Sequence, residues 1–276
     1  MQQRHPSARG IAVRLSWAIA ALMALQSGVG LLAPGAYRDV LWIRTAWFGN
    51  DLVTLLVVVP LLIAGLLSAA RGSVRGELLW YAALGYGVYN YGYYALGAAL
   101  NERFPLFVAL FVASMWALAL ALSTANVSRV GAAFGDRAPV RAVAGYMGFT
   151  GLGLAVAWIA QWAAYVFGGT VPSIGEAPFR LVATMDLSLM VPIMSVGAVL
   201  LWRRRAWGYV LAAIAITQGA AYTLALTVAS VVGGMRGLPG SFQQAPVWGV
   251  WTLAGLVAVV ALLWRVRPDG AGAAEG

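Results

Sequence analysis

Apolar residues occur in this chain in long, nearly unbroken runs separated by short polar clusters. A bilayer's hydrocarbon core of roughly 30 Å takes about 20 helical residues to cross. Eight runs reach that length, at 13–33, 51–70, 78–100, 106–124, 142–167, 181–202, 207–232 and 247–264. The clusters between them include "APGAYRD", "ARGSVRGE", "GDRAPVR", "WRRRAW" and "RGLPGS", whose Gly, Pro and Arg read as turns. No stretch is left for a soluble domain. The pattern predicts an all-α integral membrane protein with eight transmembrane helices. Residues 1–12 form a tail, 13–124 a first four-helix half, 125–141 a linker, 142–266 a second half, and 267–276 a small, polar tail expected to be disordered. The first run follows "RHPSARGIAVR" and ends in "LLAPGA", the layout of a signal peptide, but its length fits a retained anchor better. Cleavage there would leave seven helices in unchanged orientations.

Charge supports the same count. All 18 basic residues are Arg, and short, positively charged loops stay cytoplasmic. With eight spans and the N-terminus inside, the cytoplasmic face collects Arg4, Arg9, Arg14, Arg71, Arg75, Arg129, Arg137, Arg141, Arg203, Arg204, Arg205, Arg265 and Arg267. Arg38, Arg44, Arg103, Arg180 and Arg236 remain outside. Merging or splitting an internal run would invert every later loop and weaken this bias, so both termini are placed in the cytoplasm, with the chain in the inner (plasma) membrane. A net charge of +9 would suggest nucleic acid in a soluble protein; here it sets topology, and no nucleic-acid partner is expected.

Composition then removes whole classes of chemistry. The chain is 62% hydrophobic and 10% charged, well beyond the apolar fraction of soluble domains. Without Cys there is no thiol redox centre, disulfide or thiolate-bound metal, and the single histidine, His5, rules out haem and multi-histidine sites. Without Lys a retinal Schiff base is excluded. No cofactor is expected.

Shifting the second half onto the first by 132 residues aligns Pro60 with Pro192, Gly65 with Gly197, Arg71 with Arg203, Gly76 with Gly208 and Gly87 with Gly219 without a gap. Four helices per half would make such repeats parallel, related by a pseudo-two-fold along the membrane normal. Each Pro lies eleven residues before a basic turn, roughly 16 Å at about 1.5 Å per residue, near mid-bilayer. A kink there would free a carbonyl near Leu56 and near Ser188, either as plain packing or for a binding role.

Asp51 and Asp186 stand near the outer starts of the second and sixth runs. Each is read either as a cap for free helical N–H groups or as an intramembrane carboxylate, which is usually functional or paired. Gln26, Gln161 and Gln218 lie inside spans, where an amide must glue helices together or line a polar cavity. The third run, "LLWYAALGYGVYNYGYYALGAALN", places six of the chain's eleven tyrosines in fourteen residues. At 100° per residue, Tyr86, Tyr89, Asn90, Tyr93, Tyr94, Gly97 and Asn101 fall within an arc of about 140°, with Tyr81 and Tyr91 elsewhere. Tyr86 and Asn90 lie too near the middle of the run for an interfacial belt. Under the 132-residue shift, Gln218 and Tyr222 occupy the places of Tyr86 and Asn90. Trp42, Trp47, Trp202, Trp207, Trp248 and Trp264 sit at helix ends and read as that belt.

The segments "NDLVTLLVVVPLL", "ARGSVRGELLW", "YGVYNYGYYALGAALN" and "MDLSLMVPIM...LLWRRRAWGYVLA" resemble an uncharacterised family of bacterial polytopic membrane proteins over residues 50–209. The resemblance implies a multi-pass fold and carries no activity.

The leading expectation is a non-enzymatic membrane protein whose polar, outward-facing cavity binds or transports a small polar or cationic solute. Its ligand-binding residues would be Asp51, Tyr86, Asn90, Tyr94, Asp186, Gln218 and Tyr222. Two carboxylates, many phenols and no Arg within the spans favour a neutral or positive ligand. The alternatives are a structural or accessory subunit whose polar stripe meets a membrane-protein partner, and a lipid-modifying enzyme using Asp51 or Asp186 as acid or base. The lipid bilayer is a partner in every case.

Overall fold

The computed structural model describes residues 7–135 and 138–266. The first six residues with His5, the linker positions 136 and 137, and the tail 267–276 lie outside the described residues, so the expectation of a disordered tail falls there too. Among the described residues all regular elements are helical, and an isolated antiparallel bridge joins Phe134 to Val266. In chain order they are α1 (Ala8–Leu32), a single 3-10 turn (Pro34–Ala36), α2 (Leu41–Ala70), α3 (Val74–Gly97), α4 (Phe104–Ser123), the short α5 (Val127–Ala132), α6 (Val140–Gly168), α7 (Glu176–Trp202), α8 (Ala206–Met235) and α9 (Ser241–Leu263). Ser7 caps α1, Ser73 caps α3 and Asn126 caps α5, each accepting a backbone N–H three residues on and satisfying a donor the helix start leaves free.

Seven of these helices are long and apolar enough to cross a membrane. The 24-residue α3 is not among them, because its tyrosines and Asn90 lower its mean hydropathy. Its surroundings make this tolerable. It packs against α2, α4 and α8 and touches the start of α7, so little of it needs an apolar exterior. The arc of Tyr86, Asn90 and Tyr94 is not the only buried face: Tyr81 and Tyr91, which point elsewhere, are as fully buried, since neighbours enclose α3 on several sides.

Two further expectations change. α2 begins at Leu41 and α7 at Glu176, ten residues before Asp51 and Asp186, so neither Asp caps a helix start. The lead-in segments "LWIRTAWFGN" and "EAPFR" extend both helices ahead of their apolar runs. Trp47 is no interfacial belt residue: it is 1% exposed, stacks on Tyr94 with centroids 4.5 Å apart, and donates to Asp39 Oδ2 at 3.0 Å. Trp42, Trp202, Trp207 and Trp264 are exposed.

What the sequence predicts as a proline kink takes the form of a π turn, at Thr54–Val58 in α2 and Asp186–Met190 in α7, each directly ahead of a Val-Pro pair. A widened turn accommodates a residue that has no N–H to give. Ser188 Oγ donates to Thr184 O at 2.5 Å. Each π turn is followed by a twelve-residue α segment and a tight basic turn. In those turns Gly72 has φ +87° and Arg204 φ +52°, and Ser73 N–H donates to Ser68 O as Arg205 N–H does to Leu200 O. Gly76 and Gly208 then lie against the preceding helix backbone at Ala69 and Leu201, where a Cβ would not fit. Every one of these paired positions is 132 residues apart.

α8 packs along both α3 and the Leu41–Val53 part of α2. By contrast α6 and α9 turn much of their surface outward, with Phe149, Leu152, Ile159, Val250 and Val257 all exposed.

Candidate functional site

Four of the seven side chains chosen from sequence fall in two clusters, Asp51 with Tyr94 and Asp186 with Tyr222. The first surrounds Asp51, which is fully buried. Its Oδ1 accepts from Tyr94 OH at 2.8 Å and Gln26 Nε2 at 3.0 Å, and its Oδ2 accepts from Tyr37 OH at 2.7 Å. Gln26 Oε1 in turn accepts from Tyr91 OH at 3.0 Å and Ser27 Oγ at 3.3 Å. The carboxyl is thus held from α1, α3 and the 33–40 loop at once. Such a donor shell offsets the desolvation that makes a lone buried carboxylate costly. Gly30 is required for the approach, because a Cβ there would run into the Asp51 carboxylate and the Tyr37 hydroxyl.

Arg103 closes this cluster from the 98–103 loop. Its guanidinium lies 4.0 Å from the Tyr37 ring centroid, a cation–π contact, while its three nitrogens are buried without a hydrogen-bond acceptor. Burial raises the pKa of the Tyr37 hydroxyl above its ordinary value, and the negative charge of Asp51 adds to the rise. The two loops are stitched together by Asp39, which accepts from Ala99 N–H at 2.9 Å, and by the Arg38–Glu102 ion pair.

The second cluster surrounds Asp186, 5% exposed, at the first position of the α7 π turn. Its Oδ1 accepts from Tyr89 OH at 2.6 Å and its Oδ2 from Trp158 Nε1 at 2.8 Å. The ring of Tyr222 packs edge-on against Tyr89, with centroids 5.3 Å apart, and against Tyr93 at 6.5 Å. One helix, α3, therefore supplies a phenol to each carboxyl: Tyr94 to Asp51 and Tyr89 to Asp186.

The remaining predicted residues stand apart from both. Tyr86 shares a 2.9 Å hydrogen bond with Thr54, the first residue of the α2 π turn. Asn90 and Gln218 are 2% and 3% exposed, and their amide nitrogens have no partner. Gln161 is exposed and its amide reaches only Ala157 O of its own helix, at 3.3 Å. Sequence reasoning did not single out Tyr37, Trp158 or Arg103. Tyr37 sits in a segment that reads as a turn, and Trp158 is one aromatic in an apolar run, so only the three-dimensional path of the chain brings them to the carboxyls. Among the described residues no group of His, Asp or Glu is arranged to hold a metal ion.

Chemically, each carboxyl is a strong acceptor held by side-chain donors: two phenols and an amide at Asp51, and one phenol and an indole at Asp186. Comparison with protein-family models, with curated proteins and with solved structures found no match to this chain.

Proposed function

We propose that this chain is an eight-span protein of the inner (plasma) membrane that binds or transports a small polar or cationic solute. Both termini are cytoplasmic in this reading, and two parallel four-helix repeats place α3 and α8 in equivalent positions. The agreement of π turns, positive-φ turn residues and glycine contacts at one offset supports the repeat. Burial of α3 among its neighbours supports counting it as the eighth span.

The observation that carries the reading is the pair of buried carboxyls, each joined by a tyrosine to the same helix and each close to a π turn. Intramembrane carboxylates are expensive and generally functional, and π turns occur frequently at functional sites. A solute with N–H donors or a positive charge satisfies Asp51 or Asp186 in place of the phenols, donor for donor. The unpartnered amides of Asn90 and Gln218 supply polar contacts deeper along the α3–α8 seam. Tyr86, Tyr94 and Tyr222 complete the set, and the π turns are the flexible points at which an extra residue can shift along the helix.

The test is a thermal-shift screen of purified protein against small ammonium and guanidinium compounds. Wild type is stabilised by at least one compound, and Asp186→Asn and Asn90→Ala each abolish that shift. A response that persists in both variants overturns the assignment. A second reading, an accessory subunit, is favoured by the exposed amide of Gln161 on the outward face of α6, because an amide in lipid seeks a partner helix. It predicts that a second membrane protein co-purifies and that the Gln161→Leu variant loses it.

A further inference from the structure

The distal half of α6 parts from the first turns of α7, leaving a groove of about 430 Å³ between them. That volume lies within the range of about 300–1,000 Å³ typical of ligand pockets. Its walls are aromatic: Trp158, Trp162, Tyr165 and Phe179. Trp158 and Phe179 meet edge-on at 5.5 Å. At its mouth stand Glu176 and Arg180, four residues apart on one face of α7. Glu176 Oε2 accepts from Tyr165 OH at 3.0 Å, which fixes the carboxylate against the rings. Arg180 is exposed and has no acidic partner among the described residues. On the inner side Trp158 donates its indole N–H to Asp186.

We infer that this groove is a binding site for one zwitterionic phospholipid from the adjoining leaflet, with its phosphate on Arg180, its ammonium on Glu176 and the rings, and its chain along the aromatic wall. The charge pattern selects the ligand. A guanidinium matches phosphate geometry, and a carboxylate beside aromatic faces suits an ammonium. An anionic lipid such as phosphatidylglycerol would satisfy Arg180 but bring no ammonium to Glu176, leaving that carboxylate unmatched. An uncharged lipid would leave both residues unused. The groove shares Trp158 with the Asp186 cluster, but the proposal does not depend on the solute reading.

Native mass spectrometry of the full chain tests this, after reconstitution with equal amounts of phosphatidylethanolamine, phosphatidylcholine and phosphatidylglycerol and with no added solute. The expected result is one retained zwitterionic lipid per protein, falling at least fivefold in Arg180→Ala and in Trp162→Ala. Both side chains are exposed, and an unchanged melting temperature shows that the variants fold. In Glu176→Gln the preference moves toward phosphatidylglycerol. Retention of phosphatidylglycerol by wild type, retention of no lipid, or zwitterionic retention unchanged in Arg180→Ala and Trp162→Ala would each overturn the proposal.

Discussion

Asp51 illustrates how a single buried carboxyl organises the residues around it. Three donors converge on its two oxygens, and removing one leaves a buried acceptor short of a partner, which costs about 1–3 kcal/mol. Tyr94→Phe is therefore expected to lower stability by that amount in detergent unfolding. Tyr89→Phe should cost more of the support at Asp186, which accepts from only two groups. Gly30→Ala should destabilise by about 1–3 kcal/mol through overpacking, and a melting curve equal to wild type would contradict the packing described. Tyr37 gives a pH signature. Its pKa is raised in the folded state, so its contribution is fully present below its ordinary value near 10.0 and declines as pH rises from there toward the folded value. In Tyr37→Phe the loss of stability above pH 10 should be shallower by up to about 1.4 kcal/mol per pH unit, the slope for one proton. At this scale the sequence marked Asp51, Asp186, Tyr94 and Gln26 well, because polar atoms inside apolar runs are conspicuous. It could not mark Tyr37 or Trp158, whose roles come from chain paths and not from local pattern.

Among the helices, the apolar runs located all eight long elements, and their ends at the Gly and Arg turns lie close to the boundaries seen. The starts of α2 and α7 were missed because their lead-in segments are too polar to register as span, although they pack against the rest of the bundle. The prolines were visible; the π turns were not, since a widened turn depends on how neighbouring helices hold each side of the proline. The basic turns make a sharper prediction. Gly72 lies at φ +87°, where a residue with a Cβ is disfavoured by roughly 1–2 kcal/mol. Gly72→Ala should lower the melting temperature, whereas Gly145→Ala, in open space on α6, should leave it unchanged or raise it slightly.

For the whole molecule, α3 packs along α8, and α3 bonds to both carboxyls through Tyr94 and Tyr89. That arrangement follows from one sequence feature, a helix too polar for lipid, once its burial on several sides is recognised. The natural absence of Cys makes topology directly measurable. Single cysteines placed at Arg38 and Arg236 should react with a membrane-impermeant maleimide in intact cells, and cysteines at Arg71 and Arg204 should not. The reverse pattern, or Arg38 and Arg236 on opposite sides, would contradict eight spans with both termini inside. The most direct test of the central claim is uptake into proteoliposomes of whichever ammonium or guanidinium compound stabilises the protein. The account predicts saturable accumulation by wild type that drops at least tenfold in both Asp51→Asn and Asp186→Asn; accumulation undiminished in those folded variants would contradict it.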